Sequence, residues 1–335
     1  MKSNAENIQK SEVFLEAENL EVTNKIKTIK SLMDAVIGSS IIETTNDVLD
    51  CFNRLLNGNC DFVIDLLNQK YPLFKFKVID SLIKATTSKV DNCRSVPNFV
   101  TNLGLYWSNL KSLEGLPKGL KSLEIKYCDG LTSLGGLPDG FQILESFESD
   151  FKTFKCLPES LKSLKVENCE GFRNLEGLPD GLESLYIHDQ LSSLESLEGI
   201  QNCKGLKSLH LEYCDRLISL EGLPGGLENL TFTHFRDTSL EGLPDGLKSL
   251  NFEFCSRLIS LKELPEELEN LYIWLSDFKT LEGLPVGLQS LIVNDCDKLE
   301  SLEGLPEGLK SLEINERSRK NLDEESLKLL KKFGV

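Results

Sequence analysis

Residues 242–255 read GLPDGLKSLNFEFC, and variants of this string recur between residues 97 and 318. Leu247, Leu250 and Phe252 stand three, six and eight residues after Pro244. Because side chains alternate along a strand, we predict a short strand that directs Leu250 and Phe252 into one core. No single copy buries these groups alone, so neighbouring copies must stack to form that core.

The proline of each copy sets the register, and positions are counted from it as +1, +2 and so on. Gln201 is assigned to this place in one copy that lacks proline. The intervals of 20, 21, 20, 21, 22, 23, 20, 21, 20 and 21 residues define eleven units. Such units with LxxLxL inside are the leucine-rich repeat signature. The prolines stand at 97, 117, 138, 158, 179, 224, 244, 265, 285 and 306.

Alternate units carry cysteine at +11, where leucine-rich repeats usually hold an inward asparagine. Two such cysteines lie two strands apart, about 9–10 Å, which exceeds disulfide reach. We therefore predict buried, reduced thiols and a reducing compartment, without a metal or a cofactor. The cysteines concerned are Cys128, Cys169, Cys214, Cys255 and Cys296, of which Cys214 takes the equivalent place thirteen residues after Gln201.

Eleven copies in one register resemble the leucine-rich repeat family over about two thirds of the chain. The unit of about 20 residues with LPxxLxxL is similar to the type III-secreted leucine-rich repeat effectors of bacterial pathogens. The LxxLxIxxCxxLxSL form is also similar to repeats of plant intracellular immune receptors. The resemblance implies an α/β solenoid, a horseshoe with a parallel concave β-sheet and a mostly non-helical convex side. Some bacterial relatives carry a ubiquitin-ligase domain after the repeats, but too few residues follow here to expect one.

Composition divides the chain into three segments. Residues 1–95 do not repeat and show apolar residues at helical spacing in 29–37, 48–56, 62–67 and 74–83, which predicts a small N-terminal helical domain. That domain is either a cap for the solenoid or a separate targeting or partner-binding unit. The solenoid is expected over 96–318 and a C-terminal capping helix over 319–335.

The N-terminus is polar and lacks the apolar core of a secretory signal, and no run of about 18 apolar residues predicts a transmembrane helix. We therefore expect a cytoplasmic or other intracellular protein. Delivery into a host cell would follow a route independent of a signal peptide.

Positions +7, +9 and +10 are predicted to face away from the core, on the concave sheet or its rim. They hold both tryptophans, all three histidines and five of six tyrosines. Such side chains are enriched at protein interfaces. Aromatic residues also favour strands, although this propensity does not explain histidine. The predicted partner-binding residues are Tyr106, Trp107, Tyr127, Phe147, Tyr186, His188, His210, Tyr213, His234, Phe254, Tyr272 and Trp274.

Charge suggests what kind of partner this surface suits. Residues 1–96 are nearly neutral, with 12 Lys and Arg against 13 Asp and Glu, whereas the remainder carries −15 of the net charge of −16. An acidic surface repels nucleic acid and anionic lipid and favours a protein with a basic, partly apolar face. The acids also serve solubility. They are Glu124, Glu145, Glu148, Glu167, Asp189, Glu212, Glu253, Asp295, Glu313 and Glu316, with Lys126 and Lys165 as the main exceptions.

No catalytic motif is found in the sequence: GxSxG, HExxH, CxxC and the GxxxxGK[ST] loop are absent. His188, His210 and His234 fall in consecutive units but are too staggered for a three-histidine metal site. Residues 192–205 lengthen two consecutive units, as a loop near the binding face or as a tolerated bend.

These features together predict a non-enzymatic protein-protein interaction module, in the setting of a secreted bacterial effector acting in a host cell. The alternatives are an adaptor whose N-terminal helices recruit other machinery, such as a ubiquitin ligase, or a fragment of an immune-receptor-like protein.

Overall fold

Thirteen strands follow one another in chain order in a single sheet of the computed structural model, which describes residues 61–79, 82–88, 90–169, 171–190, 193–236, 238–258 and 260–333. The predicted leucine-rich repeat solenoid is confirmed. The strands are β1 (Lys75–Ile79), β2 (Leu82–Thr87), β3 (Asn102–Tyr106), β4 (Ser122–Lys126), β5 (Ile143–Phe147), β6 (Ser163–Glu167), β7 (Ser184–His188), β8 (Ser208–Glu212), β9 (Asn229–Thr233), β10 (Ser249–Glu253), β11 (Asn270–Trp274), β12 (Ser290–Asn294) and β13 (Ser311–Ile314). The helices are α1 (Asp61–Lys70), α2 (Glu316–Arg319) and α3 (Glu324–Leu330), and 3-10 turns span Cys93–Ser95, Ile200–Asn202 and Lys331–Phe333.

Strands β2 to β13 are parallel, and equivalent positions of the repeat lie side by side. Leu250 of β10, for example, pairs with Leu230 on one side and Leu271 on the other. The +6 and +8 side chains point into one continuous core, where Leu250 is 1% exposed and Phe252 is fully buried. The other face of the sheet, here called the open face, carries positions +7 and +9.

The segments that connect the strands are turns held by backbone hydrogen bonds within each coil and between neighbouring coils. In the first turn of each unit, the residue at +3 donates its N–H to the carbonyl of the proline, as Leu120 does to Pro117 over 3.0 Å. Each coil then bonds to its neighbour, as Lys121 N does to Thr101 O over 2.7 Å. Gly136 has φ +101°, and a Cβ there would lie 2.7 Å from the backbone nitrogen of Glu114, so only glycine fits.

The +11 cysteines form a buried column. Each thiol lies within 3.3–3.6 Å of the backbone carbonyl two residues earlier, as Cys255 Sγ does to Glu253 O over 3.3 Å. Ser149 and Ser276 use their hydroxyls in the same way. The cysteines are free thiols, and burial raises the pKa of Cys255 to about 12. These groups therefore cap the ends of their own strands from the inside.

One unit departs from the predicted register. Leu206 donates to the carbonyl of Cys203 over 3.0 Å, so Cys203 occupies the proline place and the assignment of Gln201 to it is wrong. The unit that starts at Pro179 thus has 203 − 179 = 24 residues, and the next has 224 − 203 = 21. A single unit is lengthened, not two. The extra residues are accommodated by the 3-10 turn Ile200–Asn202.

Asp189, which was expected among the outward-facing acids, stabilises this long unit from within. Its side chain is 1% exposed and accepts hydrogen bonds from Leu194 N at 2.8 Å and Ser193 Oγ at 3.1 Å. Gln190, at the nominal +11 position, is exposed. In this long unit the inward position therefore lies at +10, one residue earlier than the +11 of the other units.

The N-terminal end of the sheet differs from the sequence prediction. Residues 75–79 and 82–87, which lie largely in the segment predicted as helical at 74–83, form the antiparallel pair β1 and β2. Strand β2 then pairs in parallel with β3, so the sheet begins well before residue 96. Helix α1 precedes this pair, and Leu67 is buried with Phe74 and Phe76. The helices predicted over 29–37 and 48–56 lie outside the described residues.

Two short helices close the C-terminal end. Asn315 caps α2 and Asp323 caps α3, each accepting a backbone N–H three residues on. Ser318 accepts the N–H of Cys296 at 2.9 Å, and Ser326 accepts that of Leu302 at 2.8 Å. The helices therefore supply the last coil with hydrogen-bond partners that a further repeat would have given. Within the described ranges, no helix combines the length and apolar character needed to cross a bilayer.

Candidate functional site

The strands end in an unusual backbone conformation that sets the direction of the outward side chains. In nine of the eleven units the residue at +10 has φ between 44° and 60°, the left-handed region that favours glycine, asparagine and aspartate. In seven of these nine its N–H donates to the +9 carbonyl of the next strand, as Trp107 N does to Lys126 O over 2.9 Å, whereas Tyr213 and Asp295 donate to side-chain oxygens of that strand or the residue after it. The side chain at +10 thereby leaves the sheet at the edge of the open face.

All twelve predicted partner-binding residues have solvent-accessible side chains, and none belongs to the core. Trp107, Tyr213 and Phe254 are the most exposed, at 66%, 37% and 38%. The other nine are half-buried against their neighbours: Tyr106, Tyr127, Phe147, Tyr186, His188, His210, His234, Tyr272 and Trp274. The register counted from the prolines therefore assigns these side chains to the correct side of the sheet, and His210 and Tyr213 take positions +7 and +10 once Cys203 replaces Gln201 as the reference.

Four of the rings form a group at the N-terminal end. Trp107 and Tyr127 stack nearly parallel, with 5.0 Å between centroids and 9° between planes. Tyr106 packs edge-on against Trp107, and Phe147 does so against Tyr127. The next unit carries Glu167 and Asn168 at +9 and +10, which interrupts the row.

Five further rings form a continuous row across units five to nine, here called the aromatic ridge: His188, Tyr213, His234, Phe254 and Trp274. Successive centroids lie 5.0, 4.3, 4.6 and 5.3 Å apart. The first three pairs are within 22° of parallel, and the last is tilted by 50°. The row ends where Trp274 Nε1 donates to Asp295 Oδ2 over 2.7 Å. Each ring is thus held in place by its neighbours.

The remaining three predicted residues lie on the open face beside the ridge. Tyr186 and His210 contact each other, with ring centroids 5.8 Å apart. Tyr272 lies two residues before Trp274 on β11 and joins neither ring row among the described residues.

Two half-buried carboxylates of the N-terminal half of the face, Glu124 and Glu167, are paired with lysines. Glu124 receives hydrogen bonds from Tyr106 Oη at 2.9 Å and Lys84 Nζ at 2.5 Å, and Lys126 Nζ lies 2.7 Å away. Burial raises the pKa of Glu124, but these hydrogen bonds outweigh it and lower the pKa to about 2. Glu167 is similarly paired with Lys165.

Glu212 and Glu253, in the C-terminal half, differ in this respect. Within the described residues neither carboxylate contacts a lysine or arginine. Glu212 accepts a hydrogen bond from Tyr186 Oη at 2.8 Å and lies 3.7 Å from His188 Nδ1. Burial raises the pKa of Glu253, a hydrogen bond from Asn251 opposes this, and the charge of Glu212 adds to the upward shift. These two carboxylates of the face therefore lack a lysine or arginine partner among the described residues.

The three histidines do not converge. His188 and His234 belong to the ridge and are separated by Tyr213, whereas His210 lies on the sheet. Burial lowers the pKa of His210, which favours its neutral form. No group of three His, Cys, Asp or Glu side chains in the described part of the chain could hold a metal ion.

Neither a family model nor a curated protein matches the chain. Solved structures do: CroV588, described as a novel circular LRR protein, is 19% identical with a TM-score of 0.40, over 68% of this chain and 45% of its own. YopM from Yersinia enterocolitica WA-314 is 25% identical with a TM-score of 0.46, over 67% of this chain and 53% of its own.

The chain resembles leucine-rich repeat proteins. It spans about half the length of the two solved structures it matches. The assignment of the fold rests on the chain's own parallel, in-register coils.

The sequence predicted which side chains face outward, but not the left-handed residues at +10 that turn the rings into a row. Nothing in a string such as SLNFEF distinguishes a residue that continues the strand from one that ends it. The place of Cys203 could have been found, because Leu206 and Leu209 follow it at +3 and +6.

Proposed function

We propose that this protein is a non-enzymatic interaction module that binds a partner protein on the open face of its sheet. The observation that carries the proposal is the presence of large rings in a backbone conformation that disfavours them. Trp107, Tyr127, Tyr213 and Phe254 all have φ between 49° and 56°. A left-handed residue other than glycine, asparagine or aspartate costs about 1–2 kcal/mol.

Core packing does not require these rings, because they leave the sheet on the side opposite to the core. Asn168 and Asp295 occupy the same position in other units, where they suit the backbone better. What the rings add is contact area with little conformational entropy to lose, since their neighbours already hold them in stacks. That property serves binding to a large surface.

The arrangement also suits a protein better than a small molecule. The ridge runs over five successive units, and the N-terminal ring group extends the aromatic surface to the first repeat. A row of this length matches an extended or curved partner surface, with aromatic anchors surrounded by polar groups. The excess of carboxylates favours a partner with a basic face.

The repeat motif supports a proposal about where this binding takes place. Units of about 20 residues with LPxxLxxL resemble those of bacterial effectors, and we propose that the chain acts inside a host cell. In the adaptor alternative, the segment before the sheet recruits other machinery. Because β1 and β2 belong to the sheet, a deletion that tests this alternative must end at residue 60. Loss of the cellular effect with partner binding retained would favour the adaptor.

The face can be tested by photo-crosslinking followed by mutation. A benzoylphenylalanine at Tyr272 should crosslink the partner in host-cell lysate, whereas the same group at Val286, which is 81% exposed outside the strands, should not. With the partner identified, Tyr272→Ala combined with Trp274→Ala should leave the circular dichroism spectrum intact. The double variant should weaken binding by at least about 2 kcal/mol, roughly 30-fold.

The matched control is Ile218→Ala with Val286→Ala, two exposed apolar side chains outside the strands. This control should bind the partner as the unmodified chain does. Unchanged affinity in the Tyr272 and Trp274 variant would exclude this part of the face.

A further inference from the structure

The open face changes character along its length. In the N-terminal half, Lys84, Lys126 and Lys165 neutralise Glu124 and Glu167. In the C-terminal half, Glu212 and Glu253 have no such partner among the described residues. Carboxylates held half-buried without a cation are costly to the folded chain, and a partner that supplies the cation removes that cost.

Glu212 ends β8 and Glu253 ends β10, with Thr233 at the end of β9 between them. Neighbouring strands lie about 4.8 Å apart, so the backbones of Glu212 and Glu253 stand about 9–10 Å apart across one strand. This interval accommodates one planar cationic group that contacts both. Thr233 is 9% exposed, and its Oγ1 is engaged by the N–H of Tyr213, so the floor of the interval is closed.

The aromatic ridge forms one wall of this interval. Tyr213, His234 and Phe254 directly follow Glu212, Thr233 and Glu253 in the chain. Their rings stack on one another at 4.3 and 4.6 Å. Because the faces are occupied by neighbouring rings, the wall presents ring edges, which suit the aliphatic part of a long side chain.

The polar side chains beside the two carboxylates are uncharged or acceptors: Tyr186 donates to Glu212, and Asn251 hydrogen-bonds Glu253. Asn251, two residues before Glu253, has a buried Oδ1 without a hydrogen-bond partner among the described residues. His210, on the strand of Glu212, has its pKa lowered by burial and so does not supply a competing positive charge. A guanidinium has five donors in a planar fork and no acceptor, which complements this set better than the three donors of an ammonium group.

We propose that the groove between Glu212 and Glu253, bounded by the aromatic ridge, receives an arginine side chain from an extended segment of the partner protein. This inference rests on the proposed function, since it specifies what the open face binds. Arginine pairs with carboxylates in a bidentate manner, and its stem packs on the ring edges. The net charge of the chain, −16, steers such a segment toward the face.

Peptide display tests the chemistry before the partner itself is identified. A library of random dodecapeptides is selected on the immobilised full chain and, in parallel, on the chain with Glu212→Gln and Glu253→Gln. We expect arginine to be enriched over its frequency in the library on the unmodified chain and not on the double variant. Glu145→Gln, an exposed carboxylate on the same face, is the matched control and should retain the enrichment.

A selected peptide is then compared with its arginine-to-citrulline and arginine-to-lysine forms by fluorescence anisotropy. Citrulline keeps the shape but removes the charge, and it should weaken binding at least about tenfold, with lysine in between. Absence of arginine enrichment, including recovery no higher than on empty support, would overturn the proposal. So would equal affinity of the citrulline peptide.

The experiments distinguish failure of the proposed partner-binding face from failure of the proposed arginine groove. If Tyr272→Ala with Trp274→Ala abolishes partner binding while Glu212→Gln with Glu253→Gln leaves it unchanged, the open face binds the partner but the arginine groove is wrong. If neither pair of changes affects binding, the face itself is wrong.

Discussion

Leu206 donates its backbone N–H to the carbonyl of Cys203 over 3.0 Å, the bond that the residue at +3 makes to a proline in each of the other ten units. Cys203 therefore performs the role of that proline in the first turn of its unit. It differs in one respect: its own N–H donates to Ile200 O over 2.9 Å and closes the 3-10 turn of the long unit.

This difference predicts that restoring the repeat motif is harmful. Cys203 has φ −76°, which proline can adopt, but proline lacks the N–H and disfavours the helical backbone of the preceding Asn202. Cys203→Pro should unfold at a lower urea concentration than Cys203→Ala. Its free energy of unfolding should be lower by about 1–2 kcal/mol. Both variants lose the thiol, so their difference reports the lost hydrogen bond together with the restriction that proline places on Asn202. A Cys203→Pro chain as stable as Cys203→Ala would contradict this prediction.

The core register makes a second prediction. Leu250 is 1% exposed on β10, and its truncation to alanine leaves a cavity between neighbouring coils. Leu250→Ala should lower the free energy of unfolding by about 2–5 kcal/mol, measured by urea titration. Ile218→Ala, at a side chain 70% exposed, should change it by less than about 0.5 kcal/mol. Comparable effects of the two changes would contradict the assignment of inside and outside.

The success of that assignment has a simple cause. Leu250, Phe252 and Cys255 are fixed in the core because the strand period of two and the constant length of the unit leave one solution. Side chains on the open face inherit their direction from the same count. The fold and the membership of the aromatic surface were therefore predictable.

What could not be predicted depends on local backbone geometry. Asp189 turned inward because the extra residues of one unit shifted the inward position, and sequence alone does not say where such an insertion is accommodated. The strand β1 was missed although Phe74, Lys75, Phe76 and Lys77 alternate, because the same apolar residues also match a helical spacing. The pairing of Glu124 with Lys84 depends on β2 joining the sheet, and this also escaped the sequence.

A third prediction concerns thiol reactivity. Burial raises the pKa of the Cys169 and Cys296 thiols to about 11, so about one molecule in a thousand is thiolate at pH 8. Cys156 is exposed, in the turn before Pro158. With Cys51 and Cys60 replaced by serine, the folded chain should react with one equivalent of Ellman's reagent rapidly and with the rest only on unfolding. Cys156→Ser should abolish the rapid phase, and its persistence would mean that the buried column is accessible.

The last prediction uses two glutamates of the same face that respond to pH in opposite ways. The pKa of Glu124 falls from 4.5 to about 2 in the folded chain, so its carboxylate stabilises the fold above pH 4.5 and this contribution is lost as the pH falls toward 2. Glu124→Gln should therefore destabilise the protein at pH 7, by about 2 kcal/mol, with the difference shrinking below pH 4.5.

Ionisation of Glu253 has the opposite effect on the stability of the folded chain. Its pKa is raised above 4.5, mainly by burial, so the folded state favours the protonated form and loses stability as the pH rises through the folded pKa. Glu253→Gln should leave the chain as stable as the unmodified protein at pH 4 and more stable at pH 7. Urea midpoints between pH 3 and 8 measure both effects, with Glu145→Gln as the exposed control. Parallel behaviour of Glu124→Gln and Glu253→Gln would show that the two halves of the face are electrostatically alike. Opposite behaviour would mean that the chain keeps Glu253 at the expense of stability, as expected of a group whose counter-charge arrives with the partner.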